Sequence, residues 1–301
     1  MEQIRFKRMN TEISMIAEQP NTCWQKEMIR WFTDFERICS RFLTTSSLTT
    51  FNKTKPNVPL ITHPVLYQVI KQAVFWAEKT DFYFNPFLLK EITQLGYDES
   101  FEEGWQKQKE VIKHTQVKEN PLLFHETIEA IEKKESVELD LGGIGKGFSA
   151  DYAAELMKRA HIKRGLVDAG GDMRMWSQEK RWTIGIRHPY DKNRTLFHIR
   201  LQNGAVATSS KWYRKWKMNQ KWQHHLLNGH TGKPSDTPII QATVVSTHAT
   251  EADVLAKLLT IINIDTIDSF LNEKKIEIAY AIITKDGTLR MNEAMRNLIV
   301  A

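Results

Sequence analysis

The residues best suited to chemistry lie in a short glycine-rich stretch, GGIGKG, at residues 142–147. This stretch places Lys146 among four glycines, directly before a segment whose apolar residues recur at helical spacing. Bare backbone amides at the N-terminus of a helix attract anions, so a nucleotide phosphate is one candidate ligand. The other interpretation is a tight turn from strand to helix, in which glycine provides positive φ angles or close backbone approach.

The spacing of this stretch excludes two familiar phosphate motifs. A P-loop places its lysine after the last glycine, whereas Lys146 comes before Gly147. A dinucleotide-binding fingerprint requires G-x-G-x-x-G, whereas Gly143, Gly145 and Gly147 alternate with other residues. The residues alone therefore leave the turn open between phosphate binding and a structural role.

Hydrophobic periodicity predicts the elements that must position this turn. Predicted helices cover residues 23–41, 64–79, the segment after the glycine turn, and 250–262. Predicted strands or hairpins cover residues 4–18, 164–176, 181–189, 195–210, 211–229 with a turn at Asn219-Gln220, and 278–292. The first helix is expected to bury Met28, Ile29, Trp31, Phe32, Phe35 and Ile38. Residues 46–59 are expected to form a polar loop that ends at prolines.

Strands and helices both run through the whole length, which predicts an α+β fold. We expect a single domain over residues 1–301, built of mixed or antiparallel sheet with flanking helices, as one lobe or two. Residues 99–135 are charged and weakly patterned, and they are expected to form a variable surface excursion.

The composition is that of an ordinary soluble globular protein, with 41% hydrophobic and 26% charged residues. The net charge of +6 is spread along the chain and identifies no partner. Cys23 and Cys39 are the only cysteines, which argues against a disulfide framework or structural zinc and suits a reducing compartment. No export signal or membrane-spanning stretch is visible, so we expect a cytoplasmic protein without a membrane anchor.

One segment raises a nucleic-acid alternative. Residues 211–222 interleave Trp212, Trp216 and Trp222 with lysines and arginines, which is typical of surfaces that bind single strands. Alternating aromatic and basic residues are also what a half-buried hairpin requires. We expect the hairpin, and no nucleic-acid partner.

Six ordered segments together resemble the ApbE family, the FAD:protein FMN transferases. They are DLGGIGKGFSAD (140–151), LVDAGGDMR (166–174), WTIGIRHP (182–189), GAVATSS (204–210), HHLLNGHTGKP (224–234) and ATEADVLAK (249–257). Three earlier segments are also similar to that family: MNTEISM (9–15), CSRFLTTSSLTTFN (39–52) and TDFYFNP (80–86). The resemblance covers roughly residues 6–295.

The resemblance implies a flavin nucleotide site and a phosphoryl-transfer reaction. Members of the family bind FAD, cleave its pyrophosphate with a divalent cation such as Mg²⁺, and pass the FMN moiety to a threonine or serine of an acceptor protein, while AMP leaves. Such a reaction needs a positioned pyrophosphate, neutralised charge and an activated hydroxyl. By resemblance, the glycine turn holds the diphosphate of FAD, Lys146 stabilises it, and the carbonyl of Gly143 is a metal ligand.

The resemblance also implies which residues contact FAD. They are Met9, Asn52, Phe84, Asn85, Asp140, Gly142, Lys146, Asp168, Gly170, Gly171, Asp172, Thr208, Ser209, Thr231 and Gly232. Several of these have a structural alternative. The acids at 168 and 172 could be solvated residues of a β-turn, the hydroxyls could cap local backbone, and the ring of Phe84 could pack in the core.

The resemblance assigns the acid–base role to His225. A neutral imidazole there could take the proton of an attacking hydroxyl. A lone histidine is more often a satisfied structural residue, and His224 beside it leaves the choice between the two imidazoles open.

The sequence departs from the family pattern at three places, and each departure removes oxygen or negative charge. Lys257 stands four residues after Asp253, where the family has a threonine that ligates the metal. An ammonium cannot ligate Mg²⁺ and is expected to pair with Asp253 instead. If that pair is only structural, Thr250 is expected to be the N-cap of its helix. Asn228-Gly229 replaces an Asp-Pro pair, and Asn85 replaces an aspartate, so a Mg²⁺ site at Gly143 and Asp253 is expected to be weakened.

The preferred interpretation is an FAD:protein FMN transferase in which His225 is the base and Lys146, with a cation, stabilises the pyrophosphate. FAD is then the substrate, and an acceptor flavoprotein with a threonine or serine is the partner. Two alternatives stay open: a protein that binds FAD with weak or no transfer, and an FAD pyrophosphatase in which water is the acceptor.

Overall fold

The structure is a computed structural model that describes residues 1–18, 23–99, 106–107, 117–191 and 193–300. The α-helices are α1 (Trp24–Cys39), α2 (Ser47–Lys53), α3 (Pro64–Lys79), α4 (Leu89–Gln94), α5 (Gly145–Arg159), α6 (Ala249–Leu259), α7 (Ile267–Glu273) and α8 (Glu293–Arg296). Short 3-10 turns cover Glu126–Ile128 and Ile264–Thr266. Among these described helices, none has both the length and the apolar character needed to cross a membrane.

The strands of the described residues are β1 (Glu2–Arg8), β2 (Thr11–Ala17), β3 (Leu60–Ile61), β4 (Gln106–Lys107), β5 (Leu122–His125), β6 (Ala130–Lys133), β7 (Gly165–Ala169), β8 (Met173–Trp176), β9 (Trp182–Arg187), β10 (Thr195–Leu201), β11 (Gly204–Ser210), β12 (Lys215–Met218), β13 (Lys221–His224), β14 (Ile239–Ser246), β15 (Ala279–Thr284), β16 (Leu289–Met291) and β17 (Ile299–Val300). Helices and antiparallel sheets together make an α+β fold, as the sequence predicts.

The chain forms two compact units, each assembled from separate stretches of sequence. Unit 1 consists of Met1–Phe32, Lys146–Tyr213 and Asp236–Ala301. Unit 2 consists of Thr33–Gly145 and Arg214–Ser235. One boundary between them therefore falls within the first turn of α5.

Unit 1 is built on an eight-stranded sheet with the order β1-β2-β7-β8-β11-β14-β15-β16, in which every neighbouring pair is antiparallel. A second antiparallel sheet has the order β17-β10-β9. Alternating side chains from the two sheets share one apolar cluster, which includes Met175, Ile184, Ile199, Val206 and Ala281. Helix α6 packs on β11 and β14.

Unit 2 contains two three-stranded sheets, β3-β6-β5 and β13-β12-β4, and in the second β4 runs parallel to β12. Its apolar cluster joins helix α4 to the hairpin β12–β13 through Leu88, Ile92, Leu95, Tyr97, Trp216, Met218 and Leu227. Strands β5 and β6 belong to the segment expected to be a surface excursion, and Ala130 and Ile131 are buried. That part of residues 99–135 is thus an element of the fold, while residues 100–105 and 108–116 lie outside the described residues.

The predicted hairpins are confirmed, and their turns explain why. Met9 and Asn10 join β1 to β2 with φ angles of 53° and 55°, and Asn219 and Gln220 join β12 to β13 with 48° and 65°. Two positive φ angles in a two-residue loop match the twist of the flanking strands. The pairs β7–β8 and β15–β16 are also antiparallel hairpins, as predicted.

Two sequence-based expectations are wrong. Residues 46–59 are not all loop, because Ser46 caps α2 by accepting a hydrogen bond from the Thr49 amide at 3.0 Å. The helix buries Leu48 and Phe51 completely, and the burial of these two apolar side chains stabilises it. In α1 the expected apolar stripe is buried except for Ile29, which is 38% exposed.

Candidate functional site

The predicted site residues fall into two sets, one in each unit. Unit 1 contains Met9, Lys146, Asp168, Gly170, Gly171, Asp172, Thr208, Ser209, Asp253 and Lys257. Unit 2 contains Asn52, Phe84, Asn85, Asp140, Gly142, Gly143, His225, Thr231 and Gly232. Each unit therefore carries its own group of candidate ligands.

In unit 1, Lys146 is held by two buried carboxylates. Lys146 lies in the first turn of α5, and its Nζ contacts Asp172 Oδ2 directly and lies 3.9 Å from Asp253 Oδ2. Asp172 and Asp253 are 2% and 5% exposed. A half-buried ammonium at a helix N-terminus adds a full positive charge to the partial charge of the backbone amides. The two carboxylates offset this charge, so the binding of phosphate at this corner of unit 1 stays a prediction.

Gly147 permits α5 to approach α6 closely, which is the close backbone approach that the structural interpretation of the turn predicts, although the sequence did not indicate α6 as the partner. Its amide donates to Asp253 Oδ2 at 3.2 Å. A Cβ at this position would lie 2.3 Å from the carbonyl oxygen of Ala249. The glycine turn thus serves helix packing, as the structural interpretation requires, and phosphate binding by the turn stays a prediction. The sequence signal for this close approach was a glycine directly before a predicted helix.

The turn between β7 and β8 is a hydrogen-bonded β-turn in which Asp172 is buried and Asp168 is half-buried. The Gly171 amide donates to Asp168 Oδ1 at 2.6 Å, and the Ala169 amide donates to the Asp172 carbonyl at 3.0 Å. Burial raises the pKa of Asp168, although the Gly171 amide opposes this shift. The alternative of a solvated acid is wrong for Asp172, whose side chain is buried against Lys146.

The two glycines of this turn differ in their surroundings. Gly170 and Gly171 have φ angles of 72° and 99°. A Cβ on Gly170 would lie 2.1 Å from Thr11 Oγ1, whereas a Cβ on Gly171 would meet nothing within 4 Å among the described residues. Gly171 is therefore the residue of the pair that leaves space for a ligand. Met9 lies in the β1–β2 turn, two residues before Thr11.

The hydroxyl pair on β11 faces the neighbouring strand. Thr208 Oγ1 lies 2.9 Å from Thr243 Oγ1, directly across the β11–β14 ladder. This hydrogen bond is between strands rather than a cap on local backbone. Thr208 and Ser209 are both half-buried, and their contact with a nucleotide stays a prediction.

Helix α6 is capped from α5 rather than by Thr250. Its N-cap residue is His248, and the carboxylate of Asp151 accepts from the Ala249 and Thr250 amides at 2.8 Å each. It also accepts from Thr250 Oγ1 at 2.7 Å. Asp151 therefore satisfies two of the amides that a helix start leaves without intrahelical partners. The alternative that Thr250 is the N-cap is wrong.

The side chains around Asp253 do not fit the Mg²⁺ ion that the resemblance implies. Magnesium takes oxygen ligands, commonly one or two carboxylates with substrate phosphates and water. Asp253 Oδ2 already accepts from Gly147 and faces the Lys146 ammonium. Lys257, one helical turn further on α6, has donors only. In the described parts of the chain, no group of three or more His, Cys, Asp and Glu side chains could hold a metal ion.

In unit 2, Asp140 is fixed by an arginine that the sequence analysis missed. Asp140 Oδ1 accepts from the Gly142 amide at 2.9 Å and lies 3.3 Å from Arg41 Nε. The Arg41 guanidinium lies over the rings of Phe42 and Tyr97, at 4.1 and 4.8 Å. Its side chain is 6% exposed, and Nη2 has no hydrogen-bond partner among the described residues. Arg41 and the Gly142 amide therefore orient the Asp140 carboxylate, and its contact with a ligand stays a prediction.

Asn52 holds the segment that leads into the glycine turn. Its Nδ2 donates to the Leu139 carbonyl and its Oδ1 accepts from the Leu139 amide, both at 2.9 Å. Nearby, the ammonium of Lys133 donates to the Asn52 carbonyl at 3.0 Å, and burial lowers the pKa of this lysine. Asn52 therefore positions Asp140 one residue further along, and its contact with a ligand stays a prediction.

The turn around Asn85 connects two candidate segments of unit 2. The Pro86 carbonyl accepts from the Asp140 amide at 2.8 Å, and the Tyr83 carbonyl accepts from the Gly229 amide at 3.0 Å. Asn85 is buried, and its Nδ2 donates to the carbonyls of Val117 at 2.9 Å and Gly229 at 3.3 Å. Phe84 is buried as well, as the core-packing alternative requires.

Residues 228–232 form a tight turn that begins at Asn228. Asn228 Oδ1 accepts from the His230 amide at 2.9 Å, and the Asn228 carbonyl accepts from the Gly232 amide at 2.8 Å. Thr231 is exposed, and its Oγ1 accepts from the Lys233 amide at 3.3 Å. An aspartate could make the same local bond as Asn228, so this departure from the family pattern keeps the turn.

The hydrogen bonds of unit 2 distinguish His225 from His224. His224 Nε2 lies 3.0 Å from the Ser235 carbonyl, and its Nδ1 accepts from the Leu226 amide at 3.3 Å. His224 is therefore a structural residue with both ring nitrogens engaged. His225 Nδ1 lies 3.4 Å from the Arg214 carbonyl, so the proton of a neutral ring belongs on Nδ1. In that tautomer Nε2 carries no proton, and the role of His225 as a base stays a prediction.

A family model described as the ApbE family matches residues 9–282 of the chain. The FAD:protein FMN transferase of Treponema pallidum (strain Nichols) is 24% identical over 285 residues, which is 89% of this chain and 76% of that protein. The protein of the same name from Klebsiella pneumoniae (strain 342) is 26% identical over 58% of this chain and 54% of its own length. The protein of that name from Escherichia coli (strain K12) is 28% identical over 50% of this chain and 43% of its own length.

Solved structures share the fold. The crystal structure of the ApbE protein from Thermotoga maritima superposes with a TM-score of 0.88 at 22% identity, and covers 100% of this chain and 99% of that one. The flavin transferase ApbE from Vibrio cholerae gives a TM-score of 0.80 at 19% identity, with 99% of each chain covered. At these identities the likeness establishes the α+β fold.

Proposed function

Since a family model matches most of its length, the chain belongs to the ApbE family, and we propose that it is an FAD:protein FMN transferase. Within the site, one observation carries the proposal: the Lys146 ammonium in the first turn of α5, held by Asp172 and Asp253 directly after the glycine turn. A positive charge held in place at a helix N-terminus suits the diphosphate of FAD.

The proposed reaction is a substitution at phosphorus. A hydroxyl oxygen of the acceptor protein bonds to the phosphorus of the FMN moiety, and the bond from that phosphorus to the bridging oxygen breaks. AMP leaves with the bridging oxygen and its electron pair. Lys146 neutralises charge on the phosphate oxygens, while Asp172 and Asp253 keep its ammonium in place.

His225 is the proposed acceptor of the hydroxyl proton. The Arg214 carbonyl at 3.4 Å favours the tautomer with the proton on Nδ1 of His225, and the ring nitrogens of His224 hydrogen-bond to Ser235 and Leu226 in a structural role. A base positioned in this way contributes typically about 10²–10⁴-fold to the rate. This contrast supports His225 over its neighbour.

We propose that the positive charge at the phosphates comes from the chain's own ammonium groups. Lys146 faces Asp253, and Lys257 follows one turn later on α6, where the family pattern has a threonine. No step therefore depends on a dedicated Mg²⁺ ligand set.

A threonine or serine of an acceptor flavoprotein is the proposed nucleophile. The cytoplasm is the proposed location, since the thiols of Cys23 and Cys39 are both free.

The deciding experiment incubates the purified protein with FAD and a threonine-containing acceptor domain, with added Mg²⁺ or with EDTA. AMP is measured by chromatography, and flavin attached to the acceptor is measured by mass spectrometry. The proposal expects AMP release together with covalent flavin, in Mg²⁺ and in EDTA alike. Loss of all turnover in EDTA would contradict the ammonium assignment while leaving transfer intact.

Two other results separate the alternatives. AMP with unattached FMN identifies a pyrophosphatase, and tightly bound FAD without AMP identifies a binding protein. His225→Asn is expected to lower kcat by about 10²-fold or more. The matched control, His161→Asn, changes an exposed histidine with a φ of 60°, a conformation that asparagine tolerates, and is expected to leave kcat unchanged.

A further inference from the structure

The hairpin β12–β13 has one buried and one exposed face. The register pairs Trp216 with Gln223 and Lys217 with Trp222, so neighbouring pairs point to opposite faces. Trp216 and Met218 are 0% and 4% exposed and pack in the apolar cluster of unit 2. Trp216 Nε1 also donates to the Leu95 carbonyl at 2.6 Å. The buried face therefore fixes the hairpin in place.

The opposite face, which we call the Trp222 face, carries Lys215, Lys217 and Trp222. The Trp222 side chain is 60% exposed. The ammonium groups of Lys215 and Lys217 lie 4.8 and 5.2 Å from the centre of its ring. Cation–π contacts at exposed sites are weak, so they hold the lysines near the indole while most of the ring stays exposed to water. An exposed tryptophan on a rigid scaffold is a frequent centre of protein interfaces.

The Trp222 face ends one residue before the candidate base. His224, the last residue of β13, pairs with Lys215 and so lies on this face, and His225 follows in the bend after the strand. Three residues of extended chain from Trp222 to His225 span about 10 Å at most. A protein segment that covers Trp222 is therefore able to present a hydroxyl at His225.

We propose that the Trp222 face docks the acceptor protein through an acidic segment next to the hydroxyl that is modified. The proposal rests on the transferase function proposed above. The two lysines favour carboxylates on the partner, and charges around a hot spot raise the association rate and set the register. The indole provides the apolar anchor.

The geometry favours a protein partner over a nucleic acid. Single-stranded nucleic acid needs successive aromatic platforms, one for each stacked base. The hairpin β12–β13 has two tryptophans, and Trp216 is fully buried. One exposed indole flanked by lysines matches a single anchor instead.

The test compares Trp222→Ala and the double variant Lys215→Glu/Lys217→Glu with the wild-type enzyme. The substrates are two synthetic peptides with one threonine-centred core, flanked either by aspartates or by lysines. We expect each variant to raise KM for the aspartate-flanked peptide about tenfold or more, with KM for FAD and kcat at saturation unchanged. The wild type is expected to prefer the aspartate-flanked peptide. The double variant is expected to lose that preference.

The control changes similar residues elsewhere in unit 2. Phe75 is 51% exposed on α3 and Lys134 is exposed after β6, so Phe75→Ala and Lys134→Glu are expected to leave every constant unchanged. Equal KM values for Trp222→Ala and the wild type would overturn the proposal. So would a preference of the wild type for the lysine-flanked peptide.

A binding measurement separates this proposal from the proposed function. Isothermal titration calorimetry uses the aspartate-flanked peptide with its threonine replaced by alanine, so that no transfer is needed. Binding that Trp222→Ala abolishes supports docking even if the wild type releases no AMP, which would contradict only the transferase. Binding that Trp222→Ala leaves unchanged overturns docking. Tighter binding of a single-stranded oligothymidylate at Trp222 would also overturn it.

Discussion

Two of the three departures from the family pattern touch each other. Asn85 Nδ2 donates to the Gly229 carbonyl, and the Gly229 amide donates to the Tyr83 carbonyl. A Cβ on Gly229 would lie 1.9 Å from the Phe82 carbonyl oxygen. An aspartate at 85 could not donate when ionised, and a proline at 229 would have neither the amide nor the space. These two departures therefore have a packing reason that is independent of a metal.

Asn85→Asp is expected to lower the free energy of unfolding by about 1–3 kcal/mol at neutral pH, because a buried carboxylate would face two carbonyl oxygens. Urea unfolding followed by circular dichroism measures the change. Asn57→Asp, at an exposed position of the same unit, is the control and is expected to be neutral. Equal stability of Asn85→Asp and the wild type would show that the amide donor has no structural role.

Lys211 is expected to make stability depend on alkaline pH. Burial lowers the pKa of Lys211 from 10.5 to about 8, and the nearby charge of Asp236 only partly opposes this shift. Its Nζ donates to Thr237 O and Oγ1, both at 2.9 Å. Between about pH 8 and pH 10.5 the unfolded chain keeps a proton that the folded chain has released. The contribution of Lys211 to the free energy of unfolding therefore rises with pH across that window.

Replacing Lys211 with methionine removes this titration. Urea unfolding of Lys211→Met and the wild type across that pH window is expected to show a steeper rise for the wild type. Lys285→Met changes an exposed lysine and serves as the control, with the slope of the wild type. Parallel pH profiles for Lys211→Met and the wild type would contradict the lowered pKa.

At the scale of elements, each of the helices α5 and α6 provides a carboxylate that binds backbone amides of the other. Asp151 of α5 binds the first amides of α6, while Asp253 of α6 binds the Gly147 amide of α5. The same two helices bring Asp253 to Lys146. The packing of α5 against α6 therefore also brings together the charged side chains of Lys146 and Asp253.

Two glycines in the first turn of α5 provide a matched test of this packing. Gly147→Ala is expected to cost about 1–3 kcal/mol, because its Cβ would overlap the Ala249 carbonyl of α6. Gly145→Ala is expected to be neutral or stabilising by up to about 1 kcal/mol, because its Cβ would lie 3.7 Å from the ring of Phe35, an ordinary contact. The measurement is chemical unfolding of both variants, and similar values for the two would contradict the close approach at Gly147.

Local patterns predicted the elements well where the signal lies within one element. Helix α3 begins at Pro64 and ends at Lys79, as predicted, since a proline in the first turn and an apolar stripe mark it. The turn at Asn219-Gln220 was also correct. Helix α2 was missed because Ser46, Leu48 and Phe51 lie in a segment rich in polar residues, and burial decided its conformation.

The candidate site was less predictable, because its contacts join residues far apart in sequence. Asp151 caps a helix 98 residues later in the chain, and no local pattern near Thr250 indicates this. Arg41 lies in residues 39–52, which resemble the family, yet only the fold reveals its contact with Asp140. His225 could be distinguished from His224 only through carbonyls and amides contributed by neighbouring turns.

At the scale of the whole molecule, both units are discontinuous in sequence. Unit 2 receives Trp216, Met218 and Leu227 of its apolar cluster from the segment 214–235, after the chain has formed part of unit 1. A contiguous fragment therefore cannot contain a complete core of this unit without also containing part of the other. Stretches that are far apart in sequence therefore belong to the same unit.

A fragment of residues 33–145 is accordingly expected not to unfold cooperatively on heating. Joining residues 214–235 to its end through a short glycine-serine linker is expected to restore a sigmoidal transition, since the linker returns the missing cluster residues. Circular dichroism at rising temperature compares the two. A cooperative transition of the fragment 33–145 alone would show that the cluster around Trp216 is dispensable.

The carboxylates of Asp151 and Asp253 also determine what an anion meets at the helix starts of unit 1. The start of any helix attracts negative charge, and α5 and α6 both begin near Lys146 and Asp253. At α6 the carboxylate of Asp151 already takes the Ala249 and Thr250 amides. At α5 the Gly147 amide donates to Asp253, and the Lys146 ammonium contacts Asp172. An anion that binds at the start of either helix would therefore have to displace a carboxylate of the chain itself.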